Sequence, residues 1–87
     1  MTVSYDIRFV KSFERDLRSL SREMVPVIIE KALKLEKEPR PPQSKKLRGS
    51  QDEYRLRVGD YRVFYTIDDA EHVVTVFHVA HRREAYR

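Results

Sequence analysis

The chain has 87 residues and no cysteine, with 18 lysine and arginine residues against 14 acidic ones and a formal net charge of +4. This length fits one small domain, and the lack of cysteine excludes disulfide bonds and thiolate metal sites. Apolar residues make up 40% of the chain and recur at regular spacings, so we expect a single folded domain over residues 1–87. The moderate positive charge allows an anionic partner without requiring one.

The first elements are predicted from two different apolar spacings. A strand is predicted where apolar residues alternate with polar ones, at Val3, Tyr5, Ile7 and Phe9. Apolar residues then recur at helical spacing at positions 13, 17, 20 and 24, and a second apolar stripe runs from residue 28 toward Pro39. A break near residue 21 is expected to end the first helix and let the second begin. We expect an antiparallel pair of helices here, with Ser12 as the N-cap of the first helix and Pro26 near the start of the second.

The second half of the chain is predicted to be a β-meander. The proline-rich stretch 38–50 reads as a connector. Three strands follow at 54–58, 61–67 and 72–80, and Gly59 with Asp60 forms a tight turn between the first two. The predicted fold class is therefore α+β: an N-terminal strand, two helices and a three-stranded antiparallel meander, with the helices on one sheet face. No stretch is apolar and long enough for an export signal or membrane span, so we expect a cytoplasmic protein without a membrane partner.

The tight turn fixes the register of the hairpin, with Val58 opposite Tyr61 and Arg57 opposite Arg62. Because opposed residues share a face, one face is predicted to join the core through Tyr54, Leu56, Val58, Tyr61, Val63, Tyr65 and Ile67. The other face carries Arg55, Arg57, Arg62 and Phe64. Like charges directly opposite each other cost roughly 0.2–1 kcal/mol, so the crowding of three arginines needs a reason.

Two interpretations of the arginine face stay open. It can be an ordinary solvated sheet face, or it can be an anion site, since the fixed fork of guanidinium donors suits phosphate. The C-terminal stretch HRREAYR adds His81, Arg82 and Tyr86 beside the same sheet, which favours the anion site.

Arginines, a histidine and a tyrosine with few carboxylates suit metal-free cleavage of RNA. The 2′-OH of the substrate attacks the neighbouring phosphate, so the protein must orient the phosphate, neutralise charge and transfer protons. Arginines keep their charge at working pH, a histidine exchanges protons near neutral pH, and a tyrosine can stack on a base. The three histidines show no clear metal-site spacing, and we expect no metal, cofactor or small-molecule ligand.

The stretches KKLRGSQDEYRLRVGDYRVFYTI and VFHVAHRREAYR resemble the RelE toxins of bacterial and archaeal toxin–antitoxin pairs. The resemblance covers nearly the whole chain and implies a RelE-like fold. It also implies a ribosome-dependent endoribonuclease that cuts mRNA in the decoding site. A cognate antitoxin would neutralise it by wrapping it with a helix and a strand.

The resemblance implies roles for individual residues. Catalytic roles fall on Arg62, His81, Arg82 and Tyr86, and RNA or phosphate binding falls on Lys45, Lys46, Arg48, Arg55 and Arg57. The best-studied pattern has lysines where this chain has Arg55 and Arg57. Because arginine does not readily transfer protons, that task is left to His81, Tyr86 or the ribosome.

Three other functions remain open at this stage. A ParE-like toxin has the same fold but binds and inhibits DNA gyrase without nuclease activity, and fold alone does not separate the two. The chain can also be an inactive module that only titrates an antitoxin, or an ordinary small α+β domain. The joint presence of Arg62, Arg82 and Tyr86 favours the nuclease.

Overall fold

The computed structural model describes residues 4–85. Its elements in chain order are β1 (Asp6–Phe9), α1 (Lys11–Arg18), α2 (Met24–Leu33), a 3₁₀ turn (Lys34–Glu36), β2 (Ser44–Lys46), β3 (Glu53–Val58), β4 (Tyr61–Asp68), β5 (Val73–His81) and α3 (Arg82–Ala85). This confirms the predicted α+β fold. The strand β2 was not predicted, because it lies in the proline-rich stretch that we expected to be a connector.

The strands form one five-stranded sheet in the order β1-β5-β4-β3-β2. The strand β1 runs parallel to β5, and the other neighbours are antiparallel. The short strand β2 adds an edge to the predicted meander by pairing with β3, which places Lys45 opposite Arg55. Among the described residues, no helix is long and apolar enough to cross a membrane.

The register of the β3–β4 hairpin is the predicted one, with Val58 opposite Tyr61 and Arg57 opposite Arg62. The turn depends on Gly59, whose φ of +58° lies in the left-handed region that favours glycine. The predicted core face is confirmed, since its residues are buried apart from the half-buried Tyr61. Helix residues Phe13, Ile28, Ala32 and Leu35 pack into the same core.

A β-bulge in the β4–β5 pair decides which side chains of β5 face the core. Phe64 pairs with His78 but Tyr65 pairs with Val76, so one additional residue, Phe77, is accommodated between them. Because a shift of one residue moves every side chain to the other face, the bulge brings Val79 into the core. The same shift puts His78 on the face that carries the arginines.

The helix α1 covers the edge of β5 where the shorter β1 has ended. Its N-cap is Val10 and not the predicted Ser12. The Ser12 hydroxyl instead donates a hydrogen bond to the carbonyl of Phe77 at 2.6 Å, and Asp16 Oδ2 accepts one from the amide of Val79 at 3.2 Å. These side chains take the place of a neighbouring strand and leave less open edge.

Arg40 links the proline-rich connector to β3 and to the turn between β4 and β5. Its Nη2 donates to Asp69 Oδ2 at 2.8 Å, and its Nε donates to the hydroxyl of Tyr54 at 2.9 Å. Tyr5 adds a hydrogen bond from its hydroxyl to Asp69 Oδ1 at 2.7 Å. The guanidinium of Arg40, followed by this tyrosine, holds the pKa of Asp69 below its usual value.

Tyr65 holds the connector from inside the core. It is fully buried, and its hydroxyl donates to the carbonyl of Pro39 at 2.7 Å. Burial raises the pKa of this phenol to about 12, so the hydroxyl stays a donor at working pH. Together with Arg40, it fixes the path of the chain into β2 and hence the position of Lys45.

Candidate functional site

The sheet face opposite the helices, called the open face below, carries two rows of side chains that cross the strands. In the first row Lys45, Arg55, Phe64 and His78 are successive pairing partners on β2, β3, β4 and β5. In the second row Arg57 pairs with Arg62, and Arg62 pairs with Ala80. The pairing of β2, β3 and β4 thus gathers four cations that are up to 17 positions apart in the sequence.

A cavity of about 440 Å³, called the cationic groove below, lies over the β2 side of these rows. Its lining residues are Pro42, Gln43, Lys45, Arg55, Arg57 and Arg62. Four of these six side chains are cationic, and the lining drawn from the described part of the chain includes no acidic residue. A groove lined by one sign of charge concentrates anions, and several guanidinium forks can bind one phosphate together.

Arg62 is held close to the sheet. It is half-buried, and its Nη1 donates to the carbonyl of Tyr61 at 3.1 Å. A guanidinium fixed in this way loses less conformational entropy when an anion binds. The fold therefore partly preorganises Arg62 for an anion.

Arg82 lies at the end of β5, outside the cationic groove. Its amide donates to the carbonyl of Asp60 in the β3–β4 turn at 2.6 Å. Arg82 lines a second cavity of about 830 Å³, here called the helix-side groove, which lies between α2 and this turn. The two grooves share Pro42, Gln43 and Arg57, so Arg57 lies at the boundary between them.

His81 lies on the sheet face that carries the helices. It pairs with Tyr61, and the two rings meet edge to face at 5.4 Å. The amide of Arg83 donates to His81 Nδ1 at 3.3 Å, which leaves the proton of the neutral ring on Nε2. The sequence placed His81 beside the arginines, but the structure separates it from Arg62 by the thickness of the sheet.

The remaining predicted residues lie outside the cationic groove or beyond the described part of the chain. Lys46 pairs with Tyr54 and so belongs to the helix-bearing face, while Arg48 is exposed in the turn after β2. Neither of them lines the cationic groove. Tyr86 lies outside the described residues.

Sequence reasoning missed a contact between α1 and the open face. His78 Nδ1 lies 2.6 Å from Asp16 Oδ2, and its ring stacks on Phe64 with 5.2 Å between centroids and 25° between planes. The position of Phe64 among the arginines was visible in the sequence, but placing His78 beside it requires the bulge. Across residues 4–85, no group of three or more histidine or acidic side chains could hold a metal ion.

Comparison with known proteins identifies the family. A sequence model described as "ParE toxin of type II toxin-antitoxin system, parDE" matches residues 7–86. Toxin RelG of Mycobacterium tuberculosis is 33% identical over 87 residues, covering 95% of this chain and 97% of the relative.

Solved structures agree with that assignment. The toxin–antitoxin complex RelBE2 from M. tuberculosis contains a chain that superposes with a TM-score of 0.81 at 34% identity, covering 92% of this chain and all of that one. The archaeal RelE–RelB complex from Pyrococcus horikoshii gives a TM-score of 0.78 at 32% identity, with 94% and 97% covered. The chain belongs to the RelE/ParE superfamily of toxins from type II toxin–antitoxin systems. The family resemblance and the RelE-like fold predicted from the sequence are thereby confirmed.

Proposed function

We propose that this toxin is a ribosome-dependent endoribonuclease that cleaves mRNA in the decoding site. The observation that carries the proposal is the convergence of Lys45, Arg55, Arg57 and Arg62 on one groove of the open face. Its similarity over nearly the whole chain to a toxin named RelG supports the same choice.

The chemistry follows from what these side chains can do. The substrate's 2′-OH attacks the adjacent phosphorus and the 5′ oxygen of the next nucleotide leaves, so the reaction needs charge stabilisation and two proton transfers. In this proposal Lys45, Arg55 and Arg57 bind phosphate, while Arg62 stabilises the transition state. Because arginine keeps its proton, and His81 lies across the sheet from Arg62, the transfers fall to Tyr86 or the ribosome.

The position of Arg82 and His81 constrains the path of the RNA. Both residues lie at the end of β5, beside the β3–β4 turn, while Arg62 faces the cationic groove. An RNA that contacts both Arg62 in the cationic groove and Arg82 beside the turn must therefore cross the end of the sheet at Arg57. Arg57 lines both grooves, which suits it to hold a phosphate on that path.

A cognate antitoxin is the second proposed partner. The M. tuberculosis and P. horikoshii relatives are both seen in toxin–antitoxin complexes. In this chain the helix-side groove offers apolar side chains of Met24 and Val27 next to Arg57 and Arg82, a surface suited to an amphipathic segment with acidic residues. An antitoxin bound there would cover Arg82.

Primer extension on mRNA in translating ribosomes tests the nuclease. Purified wild-type toxin should produce cuts within codons, and Arg62→Ala should remove them. Arg8→Ala is the matched control, because Arg8 is an exposed arginine of β1 that pairs with Thr75, away from the cationic groove. The same mRNA without ribosomes should stay intact.

Cleavage that persists in Arg62→Ala would reject this active site. Absence of cuts with the folded wild-type protein would reject the nuclease. Inhibition of supercoiling by DNA gyrase in that case would establish the ParE-like function.

A further inference from the structure

We propose that Phe64 and His78 form a nucleobase-binding platform on the open face, next to the cationic groove. A base of single-stranded RNA would stack on this aromatic pair while its phosphate lies on Arg55 and Arg62. The choice of RNA as ligand rests on the proposed function. The platform itself rests on the register and the ring contacts described below.

The platform adjoins the phosphate-binding cations directly. Arg55 is the pairing partner of Phe64 on one side, His78 is its partner on the other, and Arg62 precedes Phe64 by two residues on the same face. Neighbouring strands lie about 4.8 Å apart, so cations and rings occupy successive steps across the sheet. A single nucleotide has the same layout, with a charged phosphate at one end and a flat base at the other.

The exposure of the pair also suits a ligand. Phe64 is only half-buried, and 46% of the His78 side chain is exposed. Phe77 supports the pair, with its ring centroid 6.4 Å from that of Phe64. The core lies on the other face and does not cover these rings, and the contact of α1 with the pair is that of Asp16 with Nδ1 of His78. Sheets that bind single-stranded RNA use exposed aromatics beside basic residues in this manner, because every base offers a face for stacking.

Asp16 acts as a positioning residue for His78. Its Oδ2 lies 2.6 Å from Nδ1 of the imidazole and also accepts the amide of Val79, so α1 and β5 both fix the carboxylate. With Nδ1 engaged, the Nε2 edge of the ring is left for a base edge. The ring plane is then set before RNA arrives, which lowers the entropic cost of stacking.

The direct test is binding of an RNA that the protein cannot cleave. Fluorescence anisotropy measures binding of the protein to a labelled, fully 2′-O-methylated hexanucleotide. The intact strand is compared with a series of strands that each carry one abasic nucleotide, at a different position in each strand. Loss of one base–aromatic stack should weaken wild-type binding about 5- to 150-fold at one position. Phe64→Leu should bind the intact and abasic strands equally.

Further variants separate base contacts from phosphate contacts. Phe64→Tyr keeps a ring and should keep the discrimination, whereas His78→Leu should reduce it. Phe64→Leu should leave the slope of log K against log salt concentration unchanged. Arg55→Gln should reduce the magnitude of that slope by about 0.7 and should keep the discrimination between intact and abasic strands. Phe9→Leu is the matched control, since Phe9 is a half-buried aromatic that packs against the core.

Three outcomes would overturn the platform: wild-type binding that ignores every abasic position, unchanged discrimination in Phe64→Leu, or no binding by the wild-type protein. These outcomes do not depend on cleavage. Base discrimination without cuts in the primer-extension assay rejects the nuclease alone, and cuts without base discrimination reject the platform alone.

Discussion

Arg57 and Arg62 are directly opposed across the β3–β4 hairpin, and both line the cationic groove. Two guanidiniums in this relationship repel each other, so the pair lowers the stability of the hairpin on which it stands. The same repulsion is relieved when an anion lies between the two side chains. A phosphate bound in the cationic groove, as proposed, would offset this cost to the unliganded fold.

Arg57→Thr tests this opposition of stability and function. We expect the free energy of unfolding to rise by roughly 0.2–1 kcal/mol, because the like charge is removed and threonine suits a strand. Cleavage in ribosomes should fall about 10-fold or more, the equivalent of one charged hydrogen bond. Urea unfolding and primer extension measure the two effects, and Arg8→Thr on β1 is the control. A variant that is both less stable and fully active would refute the relationship.

Asp16→Ala should destabilise the protein by about 1–3 kcal/mol, because the amide of Val79 and the ring of His78 both lose a charged acceptor. Glu14→Ala, an exposed acidic residue of the same helix, should change the free energy of unfolding by less than about 0.5 kcal/mol. Urea denaturation of both variants measures the difference. Equal effects would show that α1 is not held to the edge of β5 through Asp16.

The Arg40–Asp69 pair should make stability depend on pH in the acid range. The folded-state pKa of Asp69 is lowered, first by the hydrogen bond from Arg40. Its contribution is therefore present above the unfolded pKa of about 3.9 and is lost as the pH falls through the folded value. Asp69→Asn should flatten this part of the curve of urea midpoint against pH, and Arg40→Gln should flatten it similarly. If either variant kept the wild-type dependence of urea midpoint on pH, the Arg40–Asp69 pair would not be its source.

The packing between helices and sheet should be sensitive to truncation. Ile28→Ala and Leu56→Ala each remove a buried side chain and should lower the free energy of unfolding by about 2–5 kcal/mol. Leu33→Ala is the matched control, because Leu33 is 47% exposed on α2 and should cost far less. A large loss in Leu33→Ala alone would indicate that a different surface of α2 is packed.

The hairpin was predictable from sequence because alternation and the turn at Gly59 agree on one register. The strand β2 was not, since three polar residues after a run of prolines carry no period. The faces of His78 and His81 could not be assigned, because one bulge residue in β5 exchanges the two sides of the strand. The contact of Asp16 with His78 joins residues 62 positions apart and follows only from the packing of α1 against β5.

The most direct test of the central claim is single-turnover cleavage of mRNA in programmed ribosomes, with a 2′-deoxy nucleotide at the cut position. The claim predicts rapid cleavage of the all-ribose mRNA to a 2′,3′-cyclic phosphate end by the wild-type protein. It predicts no cleavage of the 2′-deoxy mRNA, and none of either mRNA by Arg62→Ala. Cleavage of the 2′-deoxy mRNA at the same position would contradict attack by the substrate's own hydroxyl. Full activity of Arg62→Ala would contradict the cationic groove as the site.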